Sequence, residues 1–283
     1  MPKTLVLNIG TQKAGTTWLS DYMRAHGDVH VPPIKEVHYF DARFVPKWCS
    51  KYEVEMLAKF KEEVQRLTLP SVADPAMQHK LAAMLLRFRM VANPQEYLRF
   101  IQWGAGQKRT LFEATPDYMM LGAEGFSAMR TLHPDVRLIL LMRNPADRFW
   151  SSLRFNMTHT SDFDIDVMFD RLIGREDFRL LADYERTIQS VEAAFGTGKL
   201  HVEFYERLFT PTAIKRICDF AGITYVEPDF ERRSNASDFK VLSVGRRRQT
   251  LAAYADIYLA INERFRGDLP ESWRADIETI RSF

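Results

Sequence analysis

Short continuous runs of apolar residues recur along the chain, and segments with helical spacing separate them. The first run, residues 5–9, stops at Gly10, and the strongest, Val136–Met142, is apolar except for Arg137. Continuous runs of this length are typical of buried parallel strands. Three further short strands are predicted, at residues 29–31, 110–113 and 200–205.

Apolar residues at helical spacing fill the intervals between these strands. The predicted helices are residues 16–25, 52–67, 78–90, 93–103, 123–132, 146–156, 183–195 and 210–221 and one long helix over 245–265, with a linker at 71–75 and an irregular polar segment at 227–243. This alternation predicts an α/β fold, with a P-loop-like parallel sheet flanked by helices on both faces. We expect a single domain over residues 1–283, with a helical insertion at about residues 51–103 that is long for a simple crossover.

The segment that joins the first strand to the first helix has the composition of an anion-binding loop. This anion loop (residues 10–17) reads Gly-Thr-Gln-Lys-Ala-Gly-Thr-Thr. Loop amides and a helix N-terminus bind anions, and Lys13 adds a full positive charge. The two glycines have the spacing of the P-loop G-x-x-x-x-G-K-[ST], but Thr16 stands where the lysine belongs. The loop therefore favours a phosphate, and its support for a magnesium–triphosphate complex is weaker.

Composition and charge narrow the class of protein. The 283 residues are 46% hydrophobic and 27% charged, which is ordinary for a globular protein. A net charge of +2 is too small to favour nucleic acid or an anionic membrane surface as a partner. Cys49 and Cys218 form neither a disulfide framework nor a metal cluster, and the N-terminal apolar run is too short for a signal peptide. We expect a cytoplasmic protein with no resident metal, no nucleic-acid partner and no membrane span.

A second candidate anion site follows the strongest predicted strand. Arg143 stands at the carboxyl end of that strand, where parallel sheets bind ligands, and Ser151 lies two turns into the next helix. An arginine and a hydroxyl can bind a phosphate by charge and by hydrogen bond. Alternatively, Arg143 caps a loop carbonyl and Ser151 is a surface residue. Together with the anion loop, the pair suggests a nucleotide with phosphates at two separate positions.

The two anion motifs together resemble the sulfotransferases that use 3′-phosphoadenosine 5′-phosphosulfate (PAPS). The residues that carry this resemblance are GTQKAGTTWL, from Gly10, and LLMRNPADRFWS, ending at Ser151. Three further segments resemble the heparan-sulfate and carbohydrate type of this family. Residues 35–40 (KEVHYF) resemble its K-E-x-H-F-F, residues 113–118 (EATPDY) its E-K-[ST]-P-x-Y, and residues 244–246 (VGR) its late K-G-R loop.

Two departures separate the chain from that type. Ala114 replaces a lysine that is often present there, and the late cysteine pair of the Golgi enzymes is missing, so the chain is more similar to a soluble, bacterial-like member. The acceptor is therefore not carried over from the heparan-sulfate enzymes. A small-molecule or carbohydrate acceptor is expected, and the oligomeric state stays open.

The resemblance implies in-line, metal-free transfer of a sulfuryl group from PAPS to a hydroxyl, less commonly to an amine, with release of 3′-phosphoadenosine 5′-phosphate (PAP). It implies that Lys13 stabilises charge on the bridging oxygen of the leaving nucleotide. The implied nucleotide ligands are Lys13, Ala14, Gly15, Thr16 and Thr17 at the 5′-phosphosulfate, Arg143 and Ser151 at the 3′-phosphate, and Gly245 and Arg246 to complete the pocket.

Two residues are candidates for the base that takes the acceptor proton. Glu36 is the first choice, although a carboxylate near a lysine needs burial or a helper to act near neutrality. His38 is the alternative, because an unperturbed imidazole has a pKa of about 6.5. Glu113 is a candidate structural or acceptor-side carboxylate.

Two other functions compete with sulfuryl transfer. A P-loop kinase for a small molecule would have a lysine directly before Thr16 and an acidic magnesium ligand at a strand end, whereas the strongest strand ends in Arg143. A non-catalytic nucleotide-binding module would bind PAP without turnover.

Overall fold

A parallel five-stranded sheet organises the fold. The computed structural model of the chain describes residues 3–90, 93–159, 164–231 and 241–283. Its strands stand in the order β2-β3-β1-β4-β5, and each neighbouring pair is parallel, as the sequence predicted. The strands are β1 (Thr4–Gly10), β2 (Val29–His30), β3 (Thr110–Ala114), β4 (Val136–Met142) and β5 (Leu200–Phe204).

Helices fill the connections between and after the strands. In chain order they are α1 (Thr16–Ala25), α2 (Asp41–Phe44), α3 (Pro46–Cys49), α4 (Lys51–Gln65), α5 (Leu69–Ala73), α6 (Pro75–Arg89), α7 (Pro94–Gln102), a 3₁₀ helix (Pro116–Met120), α8 (Ala123–Arg130), α9 (Pro145–His159), α10 (Ile165–Leu172), α11 (Glu176–Leu180), α12 (Tyr184–Phe195), α13 (Tyr205–Leu208), α14 (Pro211–Ala221), α15 (Val244–Ala253), α16 (Ala255–Arg264) and α17 (Glu271–Arg281). Within the described ranges, no helix combines the length and apolar character that crossing a bilayer requires.

Side chains of β1 alternate between two hydrophobic cores. Leu5, Leu7 and Ile9 pack on one face of the sheet and Val6 on the other, and all four are fully buried. Successive side chains of a strand point to opposite faces, so a strand buried on both faces needs a continuous apolar run. Helices α12, α16 and α17 cover the first face, and α1 and α14 cover the second. The predicted two-sided cover of the sheet is confirmed.

The topology brings three strand ends together at one edge of the sheet. β1 is the central strand, and its neighbours β3 and β4 run parallel to it. The anion loop follows β1, Thr115 follows β3 and Arg143 follows β4. Helices α4 to α7 lie between β2 and β3, where the helical insertion was predicted.

The structure departs from the sequence prediction at several elements. The single helix predicted over 245–265 is two helices, because the backbone of Tyr254 leaves the helical region at φ −118° and ψ 14°. The predicted linker at 71–75 contains part of α5, whose first turn Thr68 caps by accepting from the amide of Ser71 at 3.3 Å. Helices α10 and α17 were not predicted. Residues 232–240 of the predicted irregular segment lie outside the described residues.

Candidate functional site

The anion loop presents the N-terminus of α1 at the edge of the sheet. Gly15 caps this helix in a left-handed conformation, with φ 85°. A Cβ atom at this position would lie 2.8 Å from Cδ2 of Leu208 and 3.4 Å from Cδ2 of Tyr205, so only glycine allows this approach. The amides of the first turn, at Thr16 and Thr17, have no partner within the helix and suit an anion.

Lys13 is the central cation of this edge. Its ammonium lies 3.9 Å from the centre of the Phe155 ring, on α9. Burial, followed by the positive charges of Arg143 and Arg154, lowers the pKa of Lys13 to about 8, and the Glu36 carboxylate offsets part of this effect. A protonated Lys13 is therefore held among cations, where a bound anion would stabilise it.

Arg143 joins the anion loop to the end of β4. Its Nη1 donates to the carbonyl oxygen of Lys13 at 2.8 Å, and its guanidinium lies over the ring of Tyr205 at 4.4 Å. The hydroxyl of Tyr184 donates to the Arg143 carbonyl at 2.6 Å and fixes the backbone at the strand end. The loop-carbonyl contact that the sequence analysis gave as the alternative role of Arg143 is therefore present, and it brings Arg143 next to the anion loop.

Helix α9, which begins two residues after Arg143, carries Ser151 and Arg154. Ser151 is half-buried on α9, eight residues after Arg143 as the sequence indicated. Arg154 stands one turn later on the same helix, and burial and the charge of Arg143 lower its pKa. The sequence analysis missed Arg154, although its spacing of three residues from Ser151 was a signal that the two share a helix face.

Glu36 approaches the anion loop through its neighbour Lys35. The Lys35 ammonium donates to Oγ1 of Thr17 at 2.6 Å and lies 3.6 Å from Oε1 of Glu36. The Glu36 side chain is 43% exposed, and its amide donates to the carbonyl of Ala114 at 3.3 Å. Its φ of 56° is left-handed, which is unusual for a residue other than glycine.

His38 lies deeper, in a group of acidic side chains. Its Nδ1 is 2.6 Å from Oδ2 of Asp41, and its ring stacks on Tyr52 with centroids 3.6 Å apart. Its amide points to Oγ1 of Thr115, at 3.5 Å, so the imidazole lies by the end of β3. Burial lowers the pKa of His38, but the hydrogen bond and charge of Asp41 outweigh this effect and leave the pKa raised.

Two further carboxyl groups, Asp117 and Glu113, are buried at the end of β3. Gln12 of the anion loop donates to both carboxylate oxygens of Asp117, at 2.8 and 2.9 Å. Burial raises the pKa of Asp117 to about 6 and that of Glu113 to about 7. The hydroxyl of Thr115 donates to Glu113. The sequence analysis did not assign Asp41 or Asp117 to the site, although Asp41 follows His38 by three residues and Asp117 lies in the EATPDY segment.

Gly245 and Arg246 form part of the first turn of α15 rather than a loop. Ser243 caps this helix, and its hydroxyl accepts from the Arg246 amide at 3.3 Å. The Arg246 guanidinium pairs with Asp170 and lies 4.4 Å over the ring of Phe169, both on α10. These contacts hold Arg246 against α10, whereas Lys13 and Arg143 contact each other directly.

Metal-type ligands also occur together in the described ranges. His38, Asp41 and Asp117 each offer a ligand atom, and these atoms lie within 4.8 Å of one another. The direct hydrogen bond between His38 and Asp41 accounts for the closeness of that pair without an ion.

Cations at the carboxyl ends of two adjacent parallel strands, beside a helix N-terminus, are typical of sites for anionic ligands. The sequence model described as "Sulfotransferase domain" matches residues 3–280, and the chain therefore belongs to the sulfotransferase family. No curated protein matches the chain.

Solved structures share this fold at low sequence identity. The sulfotransferase from Alicyclobacillus acidocaldarius superposes with a TM-score of 0.67 and 19% identity, covering 97% of this chain and 100% of its own. The sulfotransferase domain from the curacin biosynthetic pathway superposes with a TM-score of 0.50 and 15% identity, covering 100% of this chain and 97% of its own. These likenesses confirm the predicted fold, and the family match confirms a sulfotransferase.

Proposed function

We propose that this sulfotransferase takes its sulfuryl group from PAPS and transfers it to a hydroxyl of a small-molecule or carbohydrate acceptor, with release of PAP. The observation that carries the proposal is the contact between the two cationic strand ends, where Arg143 donates to the Lys13 carbonyl. One ligand with two separated phosphate groups would bind at both of these strand ends. The buried free thiols of Cys49 and Cys218 suit a cytoplasmic setting.

The anion loop would bind the 5′-phosphosulfate end of the donor. The amides of Gly15, Thr16 and Thr17 and the hydroxyls of Thr16 and Thr17 would be its donors, at the positive end of α1. The Ala14 amide, which donates to the Thr11 carbonyl at 3.3 Å, would join them once that hydrogen bond opens. Lys13 would place its ammonium on the oxygen that bridges sulfur and phosphorus. Lys35, which now donates to Thr17, adds a second positive charge at this end.

Arg143 and Ser151 would bind the 3′-phosphate, and Gly245 with Arg246 would complete the nucleotide pocket. An arginine offers a planar pair of donors that fits a phosphate, which suits discrimination between nucleotides with and without this group. For Arg246 to reach the nucleotide, its pair with Asp170 must open.

The loop after β2 would supply the acceptor side of the reaction. It carries both candidate bases, Glu36 and His38, and Tyr52 of the helical insertion stacks on His38. The insertion (α4–α7) therefore reaches the site and would shape the acceptor pocket. The KEVHYF segment supports a carbohydrate-type acceptor, while Ala114 removes the lysine that many members of that type carry.

Binding of PAP without metal tests the donor assignment. Calorimetric titration in EDTA is expected to show tight binding of PAP, and binding of ATP is expected to be weaker because ATP lacks the 3′-phosphate. An acceptor screen with PAPS then follows, with PAP release as the readout. Absence of PAP binding, or ATP binding that needs magnesium, would reject the proposal and favour a kinase. PAP binding without turnover of any acceptor would favour a non-catalytic nucleotide-binding module.

Proton uptake is expected when PAP binds at alkaline pH. The pKa of Lys13 is about 8 in the free protein, and a bound phosphate raises it because the anion favours the protonated amine. At a pH between the free and bound values, at about pH 8.5, binding therefore takes up a proton and PAP affinity falls as pH rises. Calorimetry in two buffers of different ionisation enthalpy measures the uptake. A Lys13→Met variant should show none, and equal uptake in wild type and variant would contradict the assignment.

A further inference from the structure

Asn144 links the end of β4 to helix α9. It directly follows Arg143 and is fully buried. Its Oδ1 accepts from the amides of Ala146 and Asp147 at 3.1 and 3.3 Å, which are the hydrogen bonds of a helix N-cap. The orientation of the Asn144 side chain therefore determines how α9 begins, and α9 carries Ser151.

A buried carboxylate on the C-terminal helix α17 sets that orientation. Oδ2 of Asp276 accepts from Nδ2 of Asn144 at 2.7 Å. Because a carboxylate only accepts hydrogen bonds, the amide nitrogen of Asn144 must face Asp276, and Oδ1 is left to face the first turn of α9. The hydroxyl of Tyr258, on α16, donates to that same Oδ1 at 2.7 Å. Burial raises the pKa of Tyr258 well above its ordinary value, so this hydroxyl keeps its proton.

Arg247 attaches helix α15 to the same carboxylate. Its Nε and Nη2 donate to the two oxygens of Asp276 at 2.8 and 2.6 Å, and its Nη1 donates to Oδ1 of Asp147 at 2.8 Å. An arginine that donates two parallel hydrogen bonds to one carboxylate is held in both distance and direction. Arg247 directly follows Arg246 on α15, so the position of Arg246 relative to Arg143 depends on this contact.

The charges of this network do not themselves favour an anion. Nε, Nη1 and Nη2 of Arg247 each donate to a carboxylate, and Asp276 and Asp147 set two negative charges against one positive charge. A carboxylate close to a phosphate weakens its binding by repulsion. Any favourable effect of Asp276 on anion binding must therefore come from the placement of other side chains.

We propose that Asp276 and Arg247 are positioning residues for the 3′-phosphate of the donor. This inference rests on the proposed function. Through Asn144 the two residues set the end of β4 and the start of α9, and through α15 they set where Arg246 lies. All the side chains assigned to the 3′-phosphate thus depend on one buried carboxylate, whereas the anion loop, which follows β1, depends on it only through Arg143.

Asp276→Asn tests this role because it removes the charge without changing the size of the side chain. PAP affinity is expected to fall by about tenfold, at the lower end of the roughly 10–100-fold that loss of Arg143 itself should cause. Affinity for adenosine 5′-phosphate, which lacks the 3′-phosphate, should change by less than about threefold. Repulsion alone predicts the opposite sign, with higher affinity for both nucleotides. Calorimetry on the full chain without metal measures both.

A matched control removes the same charge from the same helix. Glu278 is exposed on α17, two residues after Asp276, and Glu278→Gln should leave the ratio of the two affinities at the wild-type value. A change in this ratio that occurs only in Asp276→Asn therefore reports the buried network and not the net charge of the protein.

Two further readouts separate positioning from a general loss of stability. KM for PAPS should rise about tenfold in Asp276→Asn, while kcat with the best acceptor of the screen stays within about threefold, because Lys13 at the transfer end is unchanged. In an Arg143→Gln background, Asp276→Asn should cause a much smaller further loss of PAP affinity, because the main side chain that it positions is already gone. Lower stability alone would change neither the ratio of affinities nor its dependence on Arg143.

Arg247→Lys tests the same contact from its other side. Lysine keeps a positive charge beside both carboxylates but loses the paired donors. PAP affinity should fall by a few-fold and that of adenosine 5′-phosphate should stay unchanged. Arg274→Lys, an exposed change on α17, is the control. If Asp276→Asn does not fold, this variant decides the question.

The outcomes that contradict the inference differ from those that contradict the donor assignment. Equal losses for the two nucleotides, an unchanged PAP affinity in folded Asp276→Asn, or higher affinity for both would each overturn the positioning role and leave the donor assignment intact. Failure of wild type to bind PAP would reject the proposed function itself, and the inference with it.

Discussion

A Lys13→Met variant is expected to turn over PAPS about 10²–10³-fold more slowly than wild type, which is the usual effect of removing one group that stabilises transition-state charge. Negative charge develops on the bridging oxygen as the bond to sulfur breaks, and the Lys13 ammonium is the cation assigned to that oxygen. PAP affinity should fall much less, by roughly tenfold, because the loop amides and Arg143 remain. Single-turnover kinetics and calorimetry measure the two effects separately.

The same variant should be at least as stable as wild type. Burial and the charges of Arg143 and Arg154 lower the pKa of Lys13 to about 8, so below that pH the protonated amine destabilises the folded protein. Methionine keeps an unbranched side chain beside Phe155 and removes the charge that lies over its ring. Thermal unfolding at neutral pH without nucleotide should therefore show an unchanged or raised Tm. Lys59→Met, an exposed change on α4, is the control. A wild-type kcat in Lys13→Met would show that Lys13 takes no part in the reaction.

The placement of Lys13 and Arg143, the two candidate anion-binding cations, was predictable because the sheet is parallel. Strands β1 and β4 are continuous apolar runs, and carboxyl ends of adjacent parallel strands meet at one edge. Residues directly after such strands can therefore be placed at that edge from the sequence alone. That is why Lys13 and Arg143 could be paired from the sequence, and the structure brings them into contact.

The His38 group depends on loop geometry that no periodic pattern encodes. Both Glu36 and His38 adopt left-handed backbone conformations, with φ of 56° and 51°. This path turns Glu36 toward Lys35 and buries His38 against Asp41. Asp117 joins them from another segment through the 3₁₀ helix after β3. Such convergence is set by tertiary packing, so the sequence could name Glu36 as the first-choice base and His38 as the alternative but could not show that His38 is buried and Glu36 is 43% exposed.

The position of Arg246 could not be predicted for a related reason. Its partner Asp170 lies on α10, a helix that the sequence analysis did not find. A triple arginine indicates only charge, and the partner of each side chain depends on which helix packs alongside. In the structure Arg247 pairs with Asp276 and Asp147 instead, so neighbouring arginines have separate roles.

An Arg143→Gln variant is expected to lose most of its preference for a 3′-phosphate. Charge-assisted hydrogen bonds to a phosphate contribute about 1.5–3 kcal/mol, which corresponds to roughly 10–100-fold in PAP affinity. Adenosine 5′-phosphate, which lacks the 3′-phosphate, should lose much less, because it depends on the anion loop. Calorimetry with both nucleotides gives the ratio of their affinities, and this ratio should approach one in the variant.

Other substitutions show whether the lost preference comes from the charge of Arg143 or from its support of the anion loop. Arg143 also holds the Lys13 carbonyl, so Arg143→Gln weakens the anion loop to some extent and lowers affinity for both nucleotides. Arg143→Lys keeps the charge but loses the paired donors and should retain an intermediate preference. Arg130→Gln, exposed on α8, should match wild type. Equal losses for PAP and adenosine 5′-phosphate would mean that Arg143 supports the loop and that the 3′-phosphate binds elsewhere, which would reassign the second anion site.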